Sequence, residues 1–125
     1  MKLELLLNHF CVVQLDANSA IPSWLKSQSD FWSITKTKDE LSIVCLEKEI
    51  PDNLKCEKGW RILKVNGPLD FGMTGVLSSL LSPLAESKIS VFTISTFDTD
   101  YILIKSNVLP AAIKVLQQNN HSISD

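Results

Sequence analysis

"FWSITKTKDELSIV" (31–44) and "VFTISTFDTDYILI" (91–104) lie sixty residues apart and match in kind when one is laid over the other. Trp32/Phe92, Ser33/Thr93, Ile34/Ile94, Thr35/Ser95, Leu41/Tyr101, Ile43/Leu103 and Val44/Ile104 keep their chemical type at this spacing, and both stretches break at an acidic turn. Each reads as a β-hairpin, because two runs rich in β-branched and aromatic residues flank a cluster of turn formers. Internal repetition on this scale organises the rest of the chain.

Upstream the offset falls to fifty, and "FCVVQLD" (10–16) lies over "WRILKVN" (60–66), one strand in each copy. The ten-residue difference falls between strand and hairpin, where the second copy holds a full helical segment and the first only "IPSWLKS" (21–27). Val76, Leu77, Leu80, Leu81 and Leu84 mark one face of that helix. Pro83 removes the hydrogen bond to the Ser79 carbonyl, which predicts a kink or a break into two short helices. A last helix over 108–119 sets Val108, Ala112, Val115 and Leu116 on one side, and "NNHSISD" (119–125) is expected to fray into solvent.

Strand, helix and hairpin in this order close naturally as a ferredoxin-like βαββαβ unit, so the fold class is α+β with two such units in tandem. The second copy runs out of chain before its last strand, and "KLELLL" (2–7) has no partner in the first. The expected organisation is a first unit over 8–58, with a shortened helix, and a second over 59–125 completed by strand 2–7, so that the units exchange a strand.

Composition excludes several function classes. A chain of 125 residues with 45% hydrophobic content suits one compact domain or two small ones, and a formal charge of −2 without a basic stripe argues against nucleic-acid binding. "MKLELLL" is too short for a signal-peptide core or a membrane span, so a soluble, untargeted protein with no membrane partner is expected. Cys11, Cys45 and Cys56 show no CxxC spacing, and two of them sit in apolar strand-like runs; buried packing in a reducing cytoplasm is the expected reading.

Topology also predicts a site. The loop after the first strand of a unit and the tip of its hairpin fall at the same end of the sheet, and in the second copy these are "GPLDFGMTG" (67–75) and "TFDTD" (96–100). The first leads into a helix N-terminus, which favours an anion such as a carboxylate, and Gly67, Gly72 and Gly75 let backbone approach a ligand. Asp98 and Asp100 suit an ammonium or guanidinium. Together they match the charge pattern of a free amino acid. The same residues also serve as ordinary turn chemistry, with Asp70 or Thr74 as helix cap and Phe71 and Phe97 as core residues at the sheet end, and both readings stand at this point.

Residues 67–105, "GPLDFGMTGVLSSLLSPLAESKISVFTISTFDTDYILIK", resemble the signature stretch of the tandem ACT-domain proteins, in the small branch related to the CASTOR arginine sensors, and the likeness extends less sharply to "IPSWLKSQSDFWSITKTKDELSIVC" (21–45). The resemblance implies the ferredoxin-like ACT fold in two copies and a cytoplasmic role in binding or sensing an amino acid. It carries the effector site onto Asn66, Gly67, Leu69, Asp70, Phe71, Gly72 and Thr74, bordered by Ser95, Thr96, Phe97, Asp98 and Asp100. ACT units are often appended to an enzyme or a transcription factor, and none is evident here. The arginine sensors carry four units where this chain has room for two, so a homodimer is expected to restore the arrangement.

Three functions compete. A stand-alone amino-acid sensor accounts for the glycine loop, the paired aspartates and the lack of catalytic groups. An enzyme finds little support: His9 and His121 have no Cys or Asp partner at motif spacing, and Asp98 and Asp100 lack a third ligand for Mg²⁺. Neither cofactor nor metal is therefore expected. The alternative is a dimeric interaction scaffold without ligand, to which Trp24, Trp32 and Trp60 contribute.

Overall fold

The computed structural model describes residues 1–25, 29–70 and 74–125. The chain forms two compact units, Asn8–Gly59, and Met1–Leu7 together with Trp60–Asp125.

The first unit contains β2 (Phe10–Leu15), β3 (Ser33–Lys36) and β4 (Leu41–Leu46), following β1 (Lys2–Leu5) in chain order. β4 pairs antiparallel with β2, from Phe10–Leu46 to Leu15–Leu41, and antiparallel with β3 on its other side. Apolar side chains at alternate positions put Cys11, Val13, Leu41, Ile43 and Cys45 on one buried face, against which Trp24, Leu25, Ile34, Ile50 and Leu54 pack. The short helix expected over "IPSWLKS" is a turn where the segment is described, with the Leu25 N–H donating to the Pro22 carbonyl at 3.3 Å. One i→i+3 turn suffices to bring Trp24 and Leu25 onto the core, and residues 26–28 lie outside the described residues.

The second unit holds β1, most of β5 (Cys56–Val65), α1 (Val76–Glu86), β6 (Phe92–Ser95), β7 (Asp100–Lys105), α2 (Leu109–Gln118) and β8 (Ser122–Ser124). β7 pairs antiparallel with β5 and with β6, so β5 and β6 run in the same direction with β7 between them. On the other side, β1 lies antiparallel to β5 and parallel to β8. Leu3, Leu63, Val65, Ile102 and Ile104 meet Leu80 and Leu84 of α1 and Ala112 and Leu116 of α2 in one core. Burying each such leucine contributes about 1.5–3 kcal/mol.

Three expectations need correction. The tail does not fray: β8 gives the second unit a final strand, and β1 lies between β5 and β8. Its backbone pairs with β1, with Ser122 N–H donating to the Met1 carbonyl at 3.0 Å, and Ile123 packs on the core. Second, of the kink or break expected at Pro83, the break into two helices does not occur: Val76–Glu86 is one helix with Pro83 inside it. The carbonyl of Ser79, four residues earlier, which Pro83 cannot reach with a donor, lies 3.1 Å from Nε2 of the buried His121. A carbonyl only accepts, so Nε2 carries the proton and Nδ1 accepts from the Met1 amine at 2.9 Å. The expected result is that His121→Ala costs about 1–2 kcal/mol, read as a lower urea midpoint. Pro83→Ala should reduce that cost by returning a helix donor to Ser79; equal costs in the two backgrounds would remove this account of the helix.

The third correction concerns the repeat. The turn formed by Thr37 N–H to the Glu40 carbonyl reappears as Thr96 N–H to the Thr99 carbonyl, so the two hairpins correspond at an offset of 59, the difference between 37 and 96, and not sixty. At this offset the core-facing Ile43 and Cys45 match the core-facing Ile102 and Ile104. A shift of one residue would exchange the faces of the strand.

Candidate functional site

Because β5 and β6 run in parallel, the loop leaving β5 and the turn leaving β6 meet at one end of the second unit. The β5–β7 ladder ends at Lys64–Tyr101. Beyond it, the Thr99 hydroxyl donates to the Val65 carbonyl at 2.5 Å, and the Leu69 N–H donates to the Asp98 carbonyl at 2.6 Å. Thr99 is 5% exposed. The turn closes on itself through Thr96, whose hydroxyl bonds to the Thr99 carbonyl at 3.1 Å, and the Ser95 hydroxyl donates to Asp100 Oδ1 at 2.5 Å.

Gly67 sits inside this junction, where a Cβ would come within 3.0 Å of the Asp98 carbonyl oxygen and 3.3 Å of the Thr99 Cβ. The chain can pass so close only without a side chain. Gly75 answers a different need: it is the N-cap of α1 with φ of 76°, a left-handed conformation, and a Cβ there would meet nothing within 4 Å. Neither Asp70 nor Thr74 is the N-cap residue, and the first turn of α1 carries no acidic residue.

The junction leaves a cavity of about 200 Å³, lined by Leu69, Asp70, Val76, Ser95, Thr96, Phe97, Asp98, Thr99 and Asp100. That is smaller than the ~300–1,000 Å³ of clefts for drug-sized ligands and fits one small metabolite. Three of the lining residues are aspartates, and none of them is basic. Phe97 is 80% exposed at the turn. Of the residues expected from sequence, Leu69, Asp70, Ser95, Thr96, Phe97, Asp98 and Asp100 come together around the cavity. Asn66, Gly67 and Thr74 stand outside its lining, and the Asn66 backbone N–H is bonded to the Lys2 carbonyl at 2.9 Å. Phe71 and Gly72 lie outside the described residues. Val76 and Thr99 line the cavity and were not anticipated; for Thr99 the only signal was a hydroxyl-bearing β-branched residue within the turn.

Other candidates are committed elsewhere. Cys11 and Cys45 are buried with sulfurs 3.8 Å apart, and the bond between them together with burial pushes the Cys11 thiol well above its ordinary range. The same bond lowers the Cys45 thiol, so a thiolate nucleophile is disfavoured at Cys11. Trp60 packs against Phe92 at 6.1 Å with Lys105 Nζ 4.8 Å from its ring centroid, Trp24 packs on the first unit's core, and Trp32 is 41% exposed. Among the described residues no three His, Cys, Asp or Glu side chains converge as a metal site, and no helix is long and apolar enough to cross a membrane.

The ACT-domain family model matches residues 55–118, and a second model, of an N-terminal domain, matches residues 8–53. The chain belongs to the ACT-domain family and has the α+β, ferredoxin-like ACT fold. Among curated relatives, the human protein named cytosolic arginine sensor for mTORC1 subunit 1 is 31% identical over 104 residues, which cover 74% of this chain and 32% of the relative. Human putative protein CASTOR3P is 32% identical over 98 residues, covering 68% and 60%. The chain thus spans about a third of the length of the arginine sensors that it matches. A crystal structure of an Agrobacterium tumefaciens protein shares 41% identity at a TM-score of 0.92, covering 98% of this chain and 91% of that one. The aspartokinase α and β subunits share the fold at a TM-score of 0.66 and 11% identity, covering 96% and 97%.

Proposed function

We propose that this chain is a stand-alone, non-catalytic regulatory module of the cytoplasm that binds a free basic amino acid at the loop after β5, in the unit formed by residues 59–125 with strand 2–7. The observation that carries the reading is the junction itself, two loops bonded to each other over a small cavity with Asp70, Asp98 and Asp100 around it and the first residue of α1 in its wall. A ligand carboxylate takes the N–H groups at the start of α1, while its ammonium and cationic side chain meet the aspartates. The proposed contacts come from Asn66, Gly67, Leu69, Asp70, Phe71, Gly72 and Thr74 in one loop and Ser95, Thr96, Phe97, Asp98 and Asp100 in the other. The names of the curated relatives make L-arginine the first probe. Residues 8–58 form the supporting unit, and two chains associate as a homodimer.

A ligand that binds only the folded state stabilises it by about 2.7 kcal/mol at a hundred times its dissociation constant. A thermal-shift screen over the twenty amino acids should therefore raise the melting temperature by several degrees for arginine or lysine and leave it unchanged for aspartate and glutamate. No shift for any amino acid at millimolar concentration would overturn the reading and leave the ligand-free scaffold. Light scattering during the titration checks the dimer, which is excluded by a monomer that still binds.

A further inference from the structure

We infer that Thr99 is the positioning residue of this site: its hydroxyl sets the spacing between the two loops, and the ligand contacts depend on that spacing. The inference rests on reading the cavity as a ligand site. The backbone ladder between β5 and β7 stops at Lys64–Tyr101, and nothing in strand pairing carries the register further. The Thr99 hydroxyl, bonded at 2.5 Å to the Val65 carbonyl, supplies one rung past the end of the ladder. That rung holds residue 99 still, and the neighbouring Asp98 carbonyl is thereby presented to the Leu69 N–H at 2.6 Å. The two bonds bracket Gly67, whose missing side chain lets the loops close.

The first unit shows the arrangement without this rung. Its ladder between β2 and β4 runs one pair further, to Leu15–Leu41. Glu40, which stands at the turn position of Thr99, instead accepts from the Gln14 side chain at 3.2 Å, and the Lys36 ammonium reaches the Ala17 carbonyl. The same hairpin turn is therefore built in both units, with its Thr37 hydroxyl bonded to the Glu40 N–H at 3.1 Å, yet only the second is fastened by a side chain to its neighbouring strand's last carbonyl. The hydroxyl of Thr99 is not needed to make the turn. It fixes where the turn sits.

Thr99→Val keeps the shape and removes the donor, while Thr99→Ser keeps the donor and removes a methyl. Calorimetry with L-arginine on the full chain should show affinity about tenfold weaker in Thr99→Val, the size of one lost hydrogen bond, and close to wild type in Thr99→Ser. In parallel, amide hydrogen exchange at Leu69 should be faster by about tenfold in Thr99→Val without ligand, with Ile62 and Leu103 unchanged and Thr99→Ser protected. Unchanged Leu69 exchange in Thr99→Val overturns the inference, as does equal arginine affinity in all three proteins. Wild type that binds no arginine but shows the Leu69 difference defeats the choice of ligand while the positioning role stands. Should Thr99→Val fail to fold, Thr99→Ala is read by the same two measurements.

Discussion

Gly67→Val is expected to abolish stabilisation by ligand and to lower the stability of the free protein by about 1–3 kcal/mol, the ordinary cost of forcing side-chain volume into a packed place. The obstruction is backbone on two of its three sides: a Cβ would lie 3.0 Å from the Asp98 carbonyl oxygen, 3.2 Å from the Leu69 nitrogen and 3.3 Å from the Thr99 Cβ. Backbone atoms cannot rotate aside as the end of a lysine can, so the loop after β5 must move away from the hairpin turn. The Leu69–Asp98 bond then breaks, and the cavity wall opens. Gly75→Ala is the informative comparison, because a left-handed φ costs an alanine about 1–2 kcal/mol while its Cβ meets nothing. The two variants should be of similar stability in urea, but only Gly67→Val should lose the arginine-induced rise in melting temperature. Retention of a wild-type rise in Gly67→Val would show that the junction is not part of the ligand site.

The hairpins were legible because their runs of Ile, Val, Thr and Phe have few alternatives to extended structure, and the turn formers between them are unambiguous. Their alignment to each other was not. β4 is buried at five of its six positions, so no alternation of apolar and polar residues marks one face, and an offset of sixty pairs apolar residues as well as the true 59 does. The tail was misread for a related reason. Ser122–Ser124 takes its place through backbone pairing with β1, and His121 through an acceptor 42 residues away that exists because Pro83 donates nothing. Polar composition gives no sign of either.

For the site, the convergence of two loops followed from topology alone, and the aspartates announced their charge. Thr99 stayed hidden because its partner is a main-chain carbonyl 34 residues earlier, and a sequence does not display carbonyls. Val76 was read as a core residue of α1, and it does pack on the second unit's core while also lining the cavity. A half-buried residue at the start of a helix can serve both, and periodicity records only the first.

The charge of the cavity gives the second large effect. Asp98→Asn and Asp100→Asn each remove a negative charge while keeping an oxygen, so in Asp100→Asn the Ser95 hydroxyl retains its acceptor. Hydrogen bonds to charged groups contribute about 1.5–3 kcal/mol, which is roughly 10- to 150-fold in affinity. Asp98 is exposed and Asp100 only half so, which places Asp98→Asn near the lower end and Asp100→Asn above it. Combined, the two should weaken arginine by at least a hundredfold, with the sum open to departure from additivity because both carboxylates face one cavity. Citrulline, which has the shape of arginine without its side-chain charge, separates the causes. If the aspartates select the guanidinium by charge, arginine should lose its advantage over citrulline in the double variant, and citrulline, which keeps only the α-ammonium, should weaken less than arginine. Equal losses for both ligands would mean that the substitutions had disturbed the geometry of the turn, and the electrostatic account of selectivity would fall while the cavity remained.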